Sequence, residues 1–379
     1  MTKVAGPLHT SGNQILDAGN RPVRLRGVGV EWLDRCPAIT AAFCPGTDRS
    51  PLTNVDALPT WGANADGTGG VNVVRILLGE QFWDPDPCAV TPDNWSAVHA
   101  YRATVFQLVD RITNQDGMIA LLSLRESTRL PCLQAGQQDM ADAGSLQFWR
   151  SVARTFASNP RVAFDLYDEP LLFDSVMSTG QPVAEPATPC SDSGVLDWSV
   201  WRNGGQVVDF QGSRCVANQS TTVPVVGWTA VGMQQMYNVI RRTGARNLVF
   251  VDGGASAKVP PPAADLIAGT NIVYAVHAYS CYAPPCSTTS LPPYLDTWVD
   301  FLSRHPTMVT EFGWPISTDG TFNQNVINWA EAHGVGWIAF CWGAQDPSTI
   351  YDFNLLTDLT SANPDPAGVP VHAGVGLIP

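Results

Sequence analysis

Short runs of apolar residues alternate along the chain with stretches in which apolar residues recur every three or four positions. The runs are rich in Val, Ile, Leu and Phe, which is typical of parallel strands buried on both faces. The stretches between them have the period of amphipathic helices. Eight runs predict eight strands, at residues 23–30, 71–78, 118–124, 162–167, 248–251, 272–277, 308–310 and 337–340. This alternation predicts an α/β fold, a single (β/α)8 barrel over residues 1–379.

The clearest helix has one apolar face, and Thr91-Pro92 supplies a hydroxyl N-cap and a first-turn proline for it. The residues of that face are Val98, Tyr101, Val105, Leu108 and Ile112. Similar faces follow at residues 146–156, 233–240, 295–302 and 326–330, the last with Gly334 as a stop. Helix signals are weak after the first, fifth and eighth strands.

Three segments fall outside this alternation. Residues 8–21 alternate in polarity, and Ala18-Gly19-Asn20 offers a turn, which predicts a short hairpin closing the barrel bottom. The loop 171–225 is long enough for a hairpin of its own, with 196–201 paired to 207–211. The Pro/Gly-rich tail, 363–379, is expected to pack across the surface.

The net charge of −13 narrows the possible partners. Phosphates of nucleic acids and anionic membrane surfaces would repel such a chain. No apolar stretch is long enough to span a membrane. The charge fits a secreted enzyme that acts on neutral or cationic substrates, and a monomer is expected.

The nine cysteines indicate an oxidising compartment. Close spacing in Pro/Gly-rich loops predicts three disulfides, and the remaining two loop cysteines form a longer-range candidate pair. The predicted pairs are Cys36–Cys44, Cys190–Cys215, Cys281–Cys286 and Cys88–Cys132, which leaves Cys341 as a buried free thiol. No zinc spacing is present. The cysteines therefore lead us to expect an extracellular protein. Such a protein needs a signal peptide, and the start, Met1-Thr-Lys-Val-Ala-Gly-Pro, has no apolar signal core, so we expect that the leader has been removed.

Two glutamates stand at predicted strand ends, Glu169 in Phe-Asp-Leu-Tyr-Asp-Glu-Pro and Glu311 in Met-Val-Thr-Glu-Phe-Gly-Trp. A carboxylate after an apolar strand is costly to bury unless it projects into a solvated cleft. Strands four and seven of a barrel would bring both to one mouth. Paired carboxylates are what cleavage of a glycosidic bond needs.

With these motifs the chain resembles the cellulase-like enzymes of glycoside hydrolase family 5 over nearly its whole length. The resemblance begins at Ile15-Leu-Asp-Ala-Gly-Asn-Arg-Pro-Val-Arg-Leu-Arg-Gly-Val. It continues through Val73-Val-Arg75-Ile, Asp168-Glu169-Pro170, His277-Ala-Tyr279, Thr310-Glu311-Phe-Gly and Trp337…Trp342. It implies Glu169 as the acid/base and Glu311 as the nucleophile, about 5 Å apart as in a retaining enzyme.

The resemblance also implies residues that bind substrate or hold the two glutamates. Arg75 would keep Glu311 ionised, His277 and Tyr279 would orient it, and Trp342 would form a platform under the sugar. Five further tryptophans lie in segments of the active face, and we expect some to line the cleft. These are Trp32, Trp83, Trp198, Trp201 and Trp314.

Three positions depart from the family's pattern. Asp168 replaces the usual Asn; if ionised it only accepts hydrogen bonds, and its charge would raise the pKa of Glu169 unless the two share a proton. Arg125 stands where the family has a histidine. Gly29 replaces an Asn of the first strand, or Glu31 takes over that position. We expect Asp168 to bind the substrate near the sugar 2-position.

The leading prediction is retaining hydrolysis of β-linked glucan, most often endo-β-1,4-glucanase in the resembling family, with an oligo- or polysaccharide substrate and no cofactor. Other specificities stay open: β-mannanase, glycoceramidase-type cleavage, exo-β-glucosidase or chitosan. The departures also allow a non-catalytic sugar-binding barrel, although retention of both glutamates argues against it. A metal-dependent hydrolase would rest on Asp84, Asp86 and Cys88, which more simply form a turn. We expect no metal site.

Overall fold

Eight parallel strands close into a barrel in the computed structural model of the chain. The structure describes residues 4–31, 33–34, 55–83, 95–129, 134–136, 138, 140–170, 197–210, 225–281, 288–316, 318–344 and 352–377. Every run of the sequence that predicts a strand overlaps one strand of the barrel, so the predicted (β/α)8 architecture is confirmed.

The strands are numbered along the chain. A hairpin of β1 (His9–Ser11) and β2 (Gln14–Leu16) comes first. The barrel strands are β3 (Arg26–Val30), β4 (Val73–Gly79), β5 (Ile119–Arg129), β7 (Val162–Asp165), β10 (Val249–Asp252), β11 (Ile272–Ala278), β12 (Thr307–Phe312) and β13 (Gly336–Ala339). They pair in that order, and β13 returns to β3 in the register Trp337↔Arg26. Outside the barrel lie β6 (Gln134–Gly136), β8 (Gly205–Phe210) and β9 (Val225–Ala230).

The helices cover the outside of the barrel. They are α1 (Glu80–Trp83), α2 (Trp95–Asp110), α3 (Ala143–Phe156), α4 (Trp198–Asn203), α5 (Met233–Arg242), α6 (Gly254–Ala257), α7 (Leu295–Leu302), α8 (Thr321–Ala332) and α9 (Val369–Val375). A π-helical turn, Arg111–Gln115, continues α2, and Ala263–Asp265 is a 3-10 turn. Where the structure describes their side chains, the residues of the predicted apolar faces are buried, except for the half-buried Leu146; for example Trp149 and Ala153 of α3 have no exposed surface. The predicted start of α2 at Thr91-Pro92 lies outside the described residues.

The barrel interior is divided along its axis. Its lower part is filled by apolar side chains from all eight strands or their starts, including Val73, Ile119 and Met308. Leu8 and Ile15 of the hairpin pack on this cluster, which confirms that the hairpin closes the bottom. The upper part instead holds buried polar residues, among them Arg75, Asp165 and His277. Chemistry is therefore confined to the carboxyl ends of the strands.

One local prediction was incomplete and one was wrong. Residues 18–20 do form a turn, after which Pro22 bridges antiparallel to Leu16, but the β1–β2 hairpin turns earlier, between Ser11 and Gln14, where Gly12 has φ 57°. In the long loop, β8 pairs with β9, while the segment predicted to pair with it forms α4. Asp197 caps that helix by accepting from the Val200 N–H, because aspartate at an N-cap favours a helix over a strand.

The tail does more than cross the surface. Residues 369–375 form α9, and Val371 and Val375 are fully or almost fully buried against the barrel. This is the helix that follows the eighth strand, where the sequence showed only a weak helix signal. Its seven residues, with Pro370 in the first turn, are too few to show a helical period in the sequence.

The cysteine predictions are tested only in part. Cys341 is free and buried, as expected. Cys281 is disulfide-bonded. Cys36, Cys44, Cys88, Cys132, Cys190, Cys215 and Cys286 lie outside the described residues, so the four pairings stay predictions. Among the described helices, none has the length and apolar character that crossing a membrane requires.

Candidate active site

Glu169 follows β7 in a sharply turned backbone. Its φ of 49° lies in the left-handed region, which side chains other than glycine rarely adopt. Its N–H donates to Asp252 Oδ2 at 2.9 Å, and its carboxylate accepts from His277 Nδ1 at 3.0 Å. The Glu169 side chain is 20% exposed, so it reaches solvent.

Glu311 lies near the end of β12 and is held at both carboxylate oxygens. Arg75 Nη1 donates to Oε2 at 2.7 Å, and the Tyr279 hydroxyl donates to Oε1 at 2.7 Å. The predicted partners of Glu311, Arg75 and Tyr279, are therefore both in contact with it.

His277 links the two glutamates. Its Nδ1 lies 3.0 Å from Glu169 Oε1 and 3.5 Å from Glu311 Oε2. One carboxylate oxygen of each glutamate and a ring nitrogen of His277 all lie within 4.8 Å of one another. The two carboxyl groups thus meet across one barrel mouth. An approach of two carboxylate oxygens to within 4.8 Å is closer to the roughly 5–5.5 Å between the carboxyl groups of retaining glycosidases than to the roughly 6.5–9.5 Å of inverting ones.

Arg75 is the centre of a buried polar cluster. Its guanidinium donates to Asp165 Oδ2 at 2.8 Å, Asp168 Oδ1 at 2.5 Å and Ser123 Oγ at 3.0 Å, besides Glu311. The arginine is 1% exposed, and a buried guanidinium needs this number of acceptors. Its position is therefore fixed by four residues from three other strands or strand ends.

The electrostatics of the pair follow from burial and from these cations. Burial raises the pKa of Glu311, with His277 and Arg75 opposing the rise. Burial alone would lower the pKa of His277, but Asp252, Glu311 and Glu169 outweigh it and raise this pKa to about 10. The imidazole is thus a cation at neutral pH and donates to Glu169.

Asp168 is buried between two arginines, and its predicted contact with the sugar 2-position stays a prediction. Its side chain is 2% exposed, and Arg75 and Arg125 take its two oxygens, with Arg125 Nε at 3.5 Å from Oδ2. Burial raises the pKa of Asp168, but Arg75, His277 and Arg125 outweigh this and leave it below its usual value. The predicted departures at positions 168 and 125 therefore form one buried ion pair. Arg125 also lies 3.7 Å from Glu31 and 3.6 Å from Asp34.

Trp342 does not offer a platform to a sugar in this structure. The residue has no exposed surface and packs edge-on against Trp61 at 5.1 Å between ring centroids. Its N–H donates to Gly29 O, which fixes the backbone against β3. Of the other tryptophans, Trp83, Trp201 and Trp314 are buried and Trp198 is partly exposed, while Trp32 lies outside the described residues.

Three buried residues of the site were missed: Ser123, Asp165 and Asp252. Each is a polar residue within, or at the end of, an apolar strand. That is the same signal that singled out Glu169 and Glu311. Asp252 follows directly after the run predicted as the fifth strand, and applying the criterion to every strand end would have found it.

Two groups of three residues bring possible metal ligands together: Asp168, Asp252 and His277, and Glu169, His277 and Glu311. Both include His277, whose protonated ring has no lone pair to offer. Asp84, Asp86 and Cys88, the residues of the metal-dependent alternative, lie outside the described residues.

Comparisons with known proteins agree with this geometry. Residues 213–346 match the family "Cellulase (glycosyl hydrolase family 5)". The fold is similar to the catalytic domain of endoglucanase Cel5A from Thermobifida fusca, with 16% identity, a TM-score of 0.59, and 98% of this chain and 97% of that chain covered. It is also similar to β-glucanase SdGluc5_26A from Saccharophagus degradans, solved with cellotetraose, with 16% identity, a TM-score of 0.63, and 99% and 94% covered.

A parallel barrel with two carboxylates meeting at its mouth is the arrangement that a retaining glycosidase requires. With the family match, the assignment becomes more specific. The chain has the cellulase-like fold of glycosyl hydrolase family 5, and it is a glycoside hydrolase.

Proposed function

We propose that the chain hydrolyses β-1,4-glucan internally, by double displacement with net retention, using Glu311 as nucleophile and Glu169 as acid/base. The observation that carries this proposal is the approach of the two carboxylates to within 4.8 Å around His277. An attacking carboxylate and a proton donor at this separation flank a single anomeric carbon, with no room for an intervening water.

The first step follows from the contacts of each glutamate. A Glu311 oxygen attacks the anomeric carbon while Glu169 protonates the leaving oxygen. Arg75 and Tyr279 hold Glu311 in place, so little reorganisation is needed at the moment of attack. Glu169 then becomes a carboxylate, and the proton on His277 Nδ1 stabilises that charge.

The second step uses the exposure of Glu169. A water enters beside this 20% exposed side chain, gives its proton to Glu169 and attacks the anomeric carbon. The bond to Glu311 breaks, and its carboxylate returns to Arg75 and Tyr279. The sugar is released with the configuration that it had in the substrate.

The choice of a β-1,4-glucan rests on the family match and on similar structures named as endoglucanase and β-glucanase. We also propose that the enzyme acts outside the cell as a monomer with one domain. The disulfide at Cys281 supports an oxidising compartment.

A glycan panel with products resolved by length tests the proposal, and proton NMR of the first product tests retention. We expect cello-oligosaccharides and β-glucan to be cut internally, with the β-anomer formed first. Glu169→Gln should lower kcat by about 10²–10⁴-fold, and Glu311→Gln should abolish measurable turnover. Cleavage of mannan, chitosan or glycolipid in place of glucan would contradict the proposed substrate. Release of single sugars would indicate exo action. Binding without any product would indicate a sugar-binding barrel.

A further inference from the structure

Asp252 is a buried residue at the end of β10. This strand lies between β7, which leads to the acid/base Glu169, and β11, which carries its hydrogen-bond partner His277. Asp252 has no exposed surface. It therefore faces the site from behind and cannot touch a sugar.

The Asp252 side chain contacts Glu169 through the backbone. Its Oδ2 accepts from the Glu169 N–H at 2.9 Å. Glu169 has the unfavourable φ of 49°, a conformation that persists only where surrounding contacts impose it. The Asp252 oxygen is such a contact, because a carboxylate at this position gives the turned N–H its acceptor.

The same oxygen also faces the histidine that donates to the Glu169 carboxylate. His277 Nε2 lies 3.5 Å from Asp252 Oδ2, while Nδ1 of the same ring lies 3.0 Å from Glu169 Oε1. Among the described residues, Nε2 has no hydrogen-bond partner and neither has Asp252 Oδ1. In the described part of the chain, Asp252 is thus the carboxyl group closest to Nε2, nearer than Asp168 at 3.9 Å.

Given the proposed function, on which this inference rests, we propose that Asp252 is the positioning residue of the acid/base. It fixes Glu169 at its backbone by accepting the N–H, and at its carboxylate by orienting His277. The nucleophile has a separate support, since Arg75 and Tyr279 hold Glu311 and neither donates to Asp252 among the described contacts.

Separate supports predict separate kinetic effects. Loss of Asp252 should impair proton donation to the leaving oxygen more than the attack by Glu311. The nucleophile keeps its hydrogen bonds from Arg75 and Tyr279 even if His277, 3.5 Å from Glu311 Oε2, changes its orientation. A dinitrophenyl leaving group departs without a proton, whereas a phenyl leaving group needs one. The measurement is therefore kcat/KM for 2,4-dinitrophenyl and phenyl β-cellobioside, and the ratio of the two values.

Two nearly isosteric variants separate the acceptor from the volume of the side chain. Asp252→Leu removes the acceptor, and we expect the ratio to rise by about tenfold or more, within the 10²–10⁴-fold that a general acid contributes. Asp252→Asn keeps an oxygen for the Glu169 N–H, so its ratio should stay within about threefold of wild type. Where Asp252→Leu does not yield folded protein, Asp252→Ala takes its place with the same expectation.

Asp165→Asn is the matched control, because Asp165 is equally buried but contacts Arg75 on the nucleophile side. It should lower kcat/KM for both substrates by similar factors. An unchanged ratio in Asp252→Leu, or a ratio raised as much in Asp252→Asn, would overturn the inference. Absence of turnover by the wild-type enzyme on either cellobioside would instead refute the proposed function.

Discussion

Asp168 lies in the site as one member of a buried cluster of charges. Its two oxygens face Arg75 and Arg125, and all three side chains are buried or nearly so. A buried ion pair contributes little relative to apolar residues, but removal of one partner is costly because the other charge remains without compensation. The residue is therefore better tested by stability than by substrate preference.

Asp168→Asn should destabilise the protein by about 3 kcal/mol, the lower end of the range for breaking a buried ion pair, since Asn keeps an acceptor for one arginine. The pKa of Asp168 is lowered in the folded state, so its contribution is fully present above about pH 4 and is lost as the pH falls through the folded value. Thermal unfolding at several pH values should show the deficit of the variant above pH 4 and a smaller deficit below.

Arg125→Gln and the double variant supply the control for this prediction. If Asp168 and Arg125 act as a pair, the effects of the two single changes on unfolding free energy should not add. Additive effects, or an unchanged melting temperature in Asp168→Asn, would contradict the ion pair as a source of stability.

Single site residues were predictable from the sequence only where the pattern of neighbouring residues singles them out. Glu169 and Glu311 end apolar strands, which is a signal within a few residues of chain. Their supports are set by barrel closure: Arg75 and Glu311 are 236 positions apart, and Glu169 and Asp252 are 83 apart. The burial of Trp342 likewise depends on Trp61, so a platform could not be distinguished from core.

At the scale of elements, α8 ties together the two strands that close the barrel. Glu331 of α8 accepts from Arg26 of β3 at 2.6 Å and from Trp337 of β13 at 2.9 Å. Arg24 donates to the same carboxylate at 2.6 Å. These three donors outweigh the effect of burial and lower the pKa of Glu331 to about 2.

Glu331→Gln should weaken this closure by about 1–2 kcal/mol at neutral pH, allowing for solvent around a side chain that is partly exposed. Because the folded pKa is depressed, the contribution is present above the ordinary value of 4.5 and is lost as the pH falls toward 2. The difference in melting temperature between wild type and variant should therefore shrink over that range. Asp296→Asn, an exposed change in α7, serves as control with an expected effect below about 0.5 kcal/mol; a difference that persists to low pH would contradict the assignment.

Elements with strong period were predictable, and short ones were not. All eight barrel strands follow from apolar runs, and the helices α2, α3, α5, α7 and α8 follow from apolar faces with spacings of three and four. The helices α4 and α9 have six and seven residues, too few for a period to be distinguished from a strand or a loop. Their existence depends on a cap at Asp197 and on packing of Val371 against the barrel, which are contacts of the folded chain.

The whole molecule separates stability from chemistry along the barrel axis. The bottom is a dry apolar cluster sealed by the hairpin, and the top is a cluster of charges. This division explains how the site can bury several carboxylates. The apolar lower layers stabilise the fold, and this stabilisation offsets the free-energy cost of burying charged groups at the strand ends.

The net charge of −13 predicts an effect of salt on substrate choice at this largest scale. At 10 mM salt the field reaches about 30 Å and repels anionic chains from the mouth, whereas at 1 M it reaches about 3 Å. The kcat/KM for carboxymethyl cellulose relative to neutral hydroxyethyl cellulose should therefore rise several-fold between these conditions. Rates on the neutral polymer, measured alone, control for direct effects of salt on the enzyme. A ratio that stays flat or falls would mean that nearby cations such as Arg125, and not the overall charge, govern the approach of the polymer.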